Sequence, residues 1–94
     1  MDLLGQRVKD PNDVRTYTIN WAAWLTSISS EIDTSTWILP AALTLDDESH
    51  TTTLANVRVA DGADGGAYRV INEVLTASGE VKRVYFELQV AVIQ

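Results

Sequence analysis

Hydrophobic and polar residues alternate most clearly near the end of the chain, in two stretches separated by a short turn. Residues 68–74 form the first stretch, residues 84–92 the second, and Ala77-Ser78-Gly79-Glu80 lies between them. Five apolar residues of the second stretch share one parity: Val84, Phe86, Leu88, Val90 and Val92. A period of two places residues of one parity on the same face of a strand. The pattern predicts a β-hairpin whose apolar face is covered by a second sheet.

Strand patterns also occupy the first half of the chain. Tyr17, Ile19 and Trp21 alternate with polar residues until Ala22-Ala23 interrupts the period, which favours a strand followed by a bend over a helix. Residues 28–39 are rich in Ser, Thr, Ile and Trp, which suits a strand that ends at a proline and resumes beyond it.

The middle of the chain adds a polar connection, a central strand and a turn. Residues 46–50 are all polar and predict a connection, whereas residues 51–60 alternate again. Residues 61–66 hold three glycines and predict a turn. Counting gives about seven strands at roughly regular spacing, which predicts a single all-β, immunoglobulin-like sandwich. An eight-stranded barrel is the alternative architecture.

The first 13 residues do not follow a strand or helix period. Leu3, Leu4 and Val8 fall on no common face, and Lys9-Asp10-Pro11-Asn12-Asp13 is typical of a turn. We therefore expect a short irregular N-terminal arm over residues 1–13 and a sandwich over residues 14–94. The arm is expected to contact a neighbouring subunit.

Composition narrows the classes of function. The 94 residues carry a formal net charge of −6, which opposes binding to nucleic acid or to anionic membranes. No apolar run is long enough to span a membrane, and the chain has no cysteine. We expect no cofactor, nucleic acid or membrane partner.

Candidate catalytic and metal-binding residues are few. His50 is the only histidine and lacks the serine motif of a hydrolase, so an exposed loop position is its simplest interpretation. Asp61 and Asp64 lack the spacing of a calcium loop and favour a simple turn. We therefore predict no enzymatic activity, no catalytic residues and no metal ligands.

The three tryptophans offer a different kind of site. Trp21 shares its parity with Tyr17 and Ile19 and is expected in the core. Trp24 follows the break in the period and is expected near an edge, where it suits an interface at least as well as a sugar platform. Leu3, Leu4, Val8 and Trp24 are thus the candidate interface residues.

Several short motifs occur in a fixed order along the chain. They are Lys9-Asp10-Pro11, Tyr17-Thr18-Ile19-Asn20-Trp21, Trp24-Leu25, Thr36-Trp37, Gly65-Gly66 and Thr76-Ala77-Ser78-Gly79. In this order, from about Lys9 to Val92, the chain resembles the fiber-tail adaptor-like proteins of short-tailed phages, which have an immunoglobulin-like fold.

The resemblance implies a non-enzymatic structural protein of the virion. Its expected partners are other virion proteins of the tail, fiber or capsid, and it is expected to occur as a homo-oligomer in the particle. Its expected role is to link tail and fiber through multivalent contacts. A capsid decoration or cement protein is one alternative. A carbohydrate-binding module that stacks sugars on two tryptophans is another.

Overall fold

The computed structural model describes residues 2–92 and is mostly β-strand. Within that range lie seven strands and one short helix: β1 (Asp2–Lys9), β2 (Arg15–Asn20), α1 (Ala22–Ser27), β3 (Ile32–Ile38), β4 (Leu43–His50), β5 (Leu54–Asp61), β6 (Ala67–Thr76) and β7 (Val81–Val90). The hairpin predicted from the alternating pattern is confirmed as β6 and β7, which pair antiparallel. Val92 lies beyond the end of β7 and is exposed, so its predicted place on the apolar face is wrong.

The strands form two sheets that pack face to face. One sheet has the order β1-β7-β6-β3 and the other β2-β5-β4. β5 is central in its sheet, as the alternation in residues 51–60 predicts. Two separate sheets confirm the all-β sandwich and are incompatible with the closed barrel. The strand orders are compatible with the immunoglobulin-like topology, which stays a prediction.

The core lies between the two sheets. Alternate residues are buried over 55–59 of β5, 70–76 of β6 and 84–90 of β7, because alternate side chains of a strand point to the same face. Phe86 occupies the centre, with ring centroids 5.3 Å from Tyr17 and 6.4 Å from Trp37. The Phe86–Tyr17 contact joins the two sheets and the Phe86–Trp37 contact lies within one sheet, and both help to stabilise a chain that has no disulfide.

The predicted irregular N-terminal arm is wrong, because residues 2–9 form β1, which pairs in parallel with β7. The register shifts between Leu3 and Gln6, where Gly5 adopts a φ of 107°. Such a bulge inserts an extra residue and exchanges the faces on either side of it, so no single parity runs through the strand. The division into an arm (1–13) and a sandwich (14–94) stays a prediction.

Two further elements differ from the pattern-based expectations. Residues 46–50, predicted as a connection, belong to β4, where they pair with β5 up to His50 and Ala55. β4 is an edge strand whose residues beyond Leu43 are all exposed, so it shows no apolar alternation. The predicted bend after β2 is the six-residue helix α1, which buries Leu25.

Candidate partner-binding surface

β1 forms one edge of the four-stranded sheet and exposes three large apolar side chains. Leu3, Leu4 and Val8 are 49%, 43% and 54% exposed. Among residues 2–92, β1 pairs only with β7, so the outer backbone groups of β1 face no other described strand. An edge strand of this kind can accept an extended segment of a partner.

A groove runs between β1 and α1 and is about 200 Å³ in volume. We call it the β1 groove, and its lining residues are Leu4, Ile19, Asn20, Trp21, Ala23, Trp24, Lys82 and Val84. The groove combines apolar walls with one ammonium group. An aromatic wall beside an open strand edge is the arrangement that suits an anchor residue of a protein partner.

Trp24 is positioned through Trp21, which is buried beneath it. The two rings lie 5.4 Å apart at an interplanar angle of 59°. Trp21 Nε1 donates to Asn72 Oδ1 at 2.9 Å, and the Asn72 amide donates in turn to Ser35 Oγ and to the Thr36 carbonyl oxygen. Because Asn72 is fully buried, this network fixes the floor of the β1 groove rigidly.

The turn from β2 into α1 sets the direction of the helix. The Asn20 side-chain oxygen accepts the Ala22 backbone N–H at 2.9 Å, and the Trp21 backbone N–H donates to the Thr53 carbonyl oxygen at 2.9 Å. The first bond closes a local side-chain turn, and the second ties the turn to the connection before β5. Together they place Trp24 at the mouth of the β1 groove.

The two sheet edges differ in charge. Lys82 Nζ lies 5.2 Å from the centroid of the Trp24 ring, a cation–π distance, and Arg7 is exposed on β1. On the opposite side of the sandwich, β4 exposes three consecutive carboxylates, Asp46, Asp47 and Glu48. Lys82 therefore lies beside the Trp24 ring in the β1 groove, whereas the carboxylates of β4 lie at the opposite edge of the sandwich.

The predicted interface residues are only partly brought together. Leu4 and Trp24 line the same groove, whereas Leu3 and Val8 pair with Tyr85 and Gln89 of β7. Sequence reasoning missed Lys82, because its proximity to Trp24 depends on the register of distant strands. No local pattern around residue 82 indicates that neighbour. That these residues form an interface stays a prediction.

The other candidate residues make ordinary structural contacts. His50 is exposed at the end of β4 rather than in a loop. Asp61 accepts a hydrogen bond from Thr44 Oγ1, and Asp64 accepts one from the Val92 backbone N–H. Within the described part of the chain, no group of three or more metal-ligating side chains occurs, and no helix is long and apolar enough to cross a membrane.

The tryptophans do not form a sugar-binding platform of the predicted kind. Trp21 and Trp37 are only 4% and 6% exposed, which confirms the prediction that Trp21 belongs to the core. Trp24 alone of the three is partly accessible. Stacking sugars on two tryptophans requires two accessible rings. Only one of the three tryptophan rings is accessible, so the alternative of such a module is wrong.

Comparison with known proteins identifies one family. Residues 9–89 match the family described as podophage GP4 fiber-tail adaptor protein gp77. The match begins at the last residue of β1 and ends within β7. It thus covers more than half of the chain. No curated protein matches the chain.

Proposed function

The chain belongs to the podophage fiber-tail adaptor family, and we propose that it joins tail and fiber proteins through the β1 edge and the β1 groove. Membership makes it a structural component of the virion that binds other tail or fiber proteins, in a family that is not a class of enzymes. The proposal adds the surface and the mode of contact.

The main support for this proposal is that three features lie together on one side of the sandwich. β1 has an open strand edge and an exposed Leu4, and the partly accessible Trp24 lies in the same groove as Leu4. A partner strand can pair with the edge while an apolar side chain enters the groove against Trp24.

Several copies of the adaptor on one particle would bind their partners more strongly than a single copy does. The β1 groove is small, so one contact of this kind is weak. Several copies bound at once on one particle gain avidity without any additional type of contact. We therefore propose that the adaptor acts as a homo-oligomeric set whose members each hold the partner through β1.

Site-specific photo-crosslinking in assembled particles tests the surface. A photoreactive amino acid at Leu4 should link the adaptor to a tail or fiber protein, identified by mass spectrometry of the crosslinked band. The matched control carries the same amino acid at Thr18, an exposed position of β2 on the outside of the other sheet.

The crosslinking result separates the competing roles. A link from Leu4 to the major capsid protein would favour the decoration alternative and overturn the tail–fiber proposal. Crosslinks from Thr18 alone would place the contact on the three-stranded sheet. Both results would leave the family assignment in place, because that assignment rests on the match over residues 9–89.

A further inference from the structure

The outer face of the four-stranded sheet carries an apolar row that crosses all four strands. Ile38 of β3 pairs with Ile71 of β6, and Ile71 pairs with Tyr85 of β7. Tyr85 pairs in turn with Leu3 of β1. We call these four residues the outer row. Ile38 and Leu3 at its two ends are exposed, and the two central residues are partly accessible.

Across its described strands, the outer face of the three-stranded sheet carries no such row, because Leu54 on this face pairs with the polar Asn20. Thr16 pairs there with Arg58, which pairs with Asp47, and Thr18 pairs with Asn56. Polar residues on the outer face are what a sheet needs when that face meets only water. The asymmetry indicates that the outer row meets something other than water.

Charged residues flank the outer row in an alternating pattern. On one side of it, Glu73 of β6 pairs with Arg83 of β7, and the two side chains form a salt bridge. On the other side, Arg69 of β6 pairs with Glu87 of β7. The Arg69 guanidinium lies 4.1 Å from the centroid of Tyr85, within the row itself. The four charges therefore occupy the corners of a rectangle with like signs on the diagonals.

This pattern is complementary to itself. A two-fold axis parallel to the outer row brings Glu73 of one copy against Arg69 of the other, and Arg83 against Glu87. An axis parallel to the strands brings Glu73 against Arg83, and Arg69 against Glu87. In both orientations the apolar rows meet and every corner charge meets its opposite, as an isologous contact requires.

We infer that the outer face of the four-stranded sheet binds the same face of a second copy of this chain, as a two-fold dimer. The outer row forms the apolar centre of the contact and the corner charges form its rim. A standard interface needs about 800 Å² from each partner, and the chain exposes 5260 Å². One broad face of the sandwich can supply that share. The inference goes beyond the proposed function, because the β1 groove remains open in such a dimer.

Sedimentation equilibrium of the full chain over micromolar to millimolar concentrations tests the inference. The wild type should form dimers, and Ile71→Thr should weaken the dimer about tenfold or more through lost apolar contact. The matched control is Leu54→Thr, which removes a similar side chain from β5 on the other sheet and should leave the dissociation constant unchanged. A wild type that stays monomeric at millimolar concentration would overturn the inference, as would a dimer that Ile71→Thr leaves intact.

Substitutions that reverse the corner charges test the rim of the proposed dimer contact and leave its apolar centre unchanged. Glu73→Lys alone should weaken the dimer for either axis. Exchanging the pair, with Glu73→Lys and Arg83→Glu together, keeps the salt bridge within the chain and preserves complementarity only for the axis parallel to the strands. Adding Arg69→Glu and Glu87→Arg restores complementarity for both axes. A fourfold variant that fails to dimerise like the wild type would refute the proposed pairing.

The dimer can also be distinguished from a virion contact. The wild-type chain could be monomeric alone while its Ile71→Thr variant loses binding to a purified tail or fiber protein. This pair of results would assign the outer row to that partner and overturn the inferred self-association. The β1 crosslinks described above are independent of either result, because they report a different surface of the sandwich.

Discussion

Tyr17 and Trp37 bring two polar atoms into the core, and neither atom has a hydrogen-bond partner within residues 2–92. A buried polar group without a partner loses its bond to water and gains nothing in return. Asn72 shows the opposite case, because all three of its hydrogen bonds join protein groups. The sequence contains a signal for Asn72: it shares the parity of Val70 and Val74 but is polar. Its partner Trp21 lies 51 residues away and could not be predicted.

Replacing Tyr17 by Phe should leave stability at neutral pH unchanged or raise it by up to about 1 kcal/mol, because the substitution removes an unsatisfied hydroxyl and keeps the ring. The matched control is Tyr68→Phe, since the Tyr68 hydroxyl oxygen accepts the Ala63 backbone N–H at 3.0 Å. That variant should lose about 0.5 to 1.5 kcal/mol. Urea unfolding of both variants measures the difference, and equal losses would contradict the assignment of Tyr17.

The same residue should make stability depend on alkaline pH. Burial raises the pKa of the Tyr17 phenol above its ordinary value of 10.0, although the nearby Arg15 guanidinium opposes the shift. The folded chain therefore keeps this proton at a pH where the unfolded chain releases it. The contribution of the protonated Tyr17 phenol to stability is fully present below pH 10.0. It is lost as pH rises through the pKa of this phenol in the folded chain. Tyr17→Phe should lack this part of the alkaline decline.

At the scale of elements, strands were predictable where one face is buried and the register is regular. β5, β6 and β7 meet both conditions, and alternation locates them. β1 fails the second condition, because the bulge at Gly5 exchanges its faces, and β4 fails the first, because both of its faces are exposed. An edge strand pairs with only one neighbouring strand, and the pattern of its side chains indicates little about that pairing. The β1 groove was predictable only in part, because the pattern of residues in β1 does not reveal that this segment is a strand.

A chain that starts at Val14 tests what β1 contributes. We expect the sandwich to persist, because β7 keeps its antiparallel partner β6, but to lose about 2 to 4 kcal/mol as Leu88 and Val90 become uncovered. The bare edge of β7 should also promote aggregation. Chemical denaturation and light scattering measure the two effects, with Val8→Thr as a control that retains the strand. An unchanged midpoint would show that β1 adds nothing to the fold and would support a separable arm.

For the whole molecule, the sandwich is polarised between its two edges. One edge offers β1, Leu4, Trp24 and Lys82, and the other offers the acidic strand β4. A net charge of −6 opposes non-specific association between copies, whereas the apolar edge is available for contact. Composition predicted the charge and excluded a basic nucleic-acid surface, but the separation of the two edges depends on the sheet orders.

Hydroxyl-radical footprinting of purified virions and of the isolated chain should reveal this polarity. Trp24 should react in the isolated chain and be protected in the particle, because a partner on β1 covers the groove. His50 on β4 should react equally in both samples, and the buried Trp37 should react in neither and serves as the internal control. Protection of His50 with Trp24 left reactive would place the partner on the acidic edge instead. The particle would then bind the adaptor by complementary charge rather than by an apolar anchor, since β4 exposes no large apolar residue beyond Leu45.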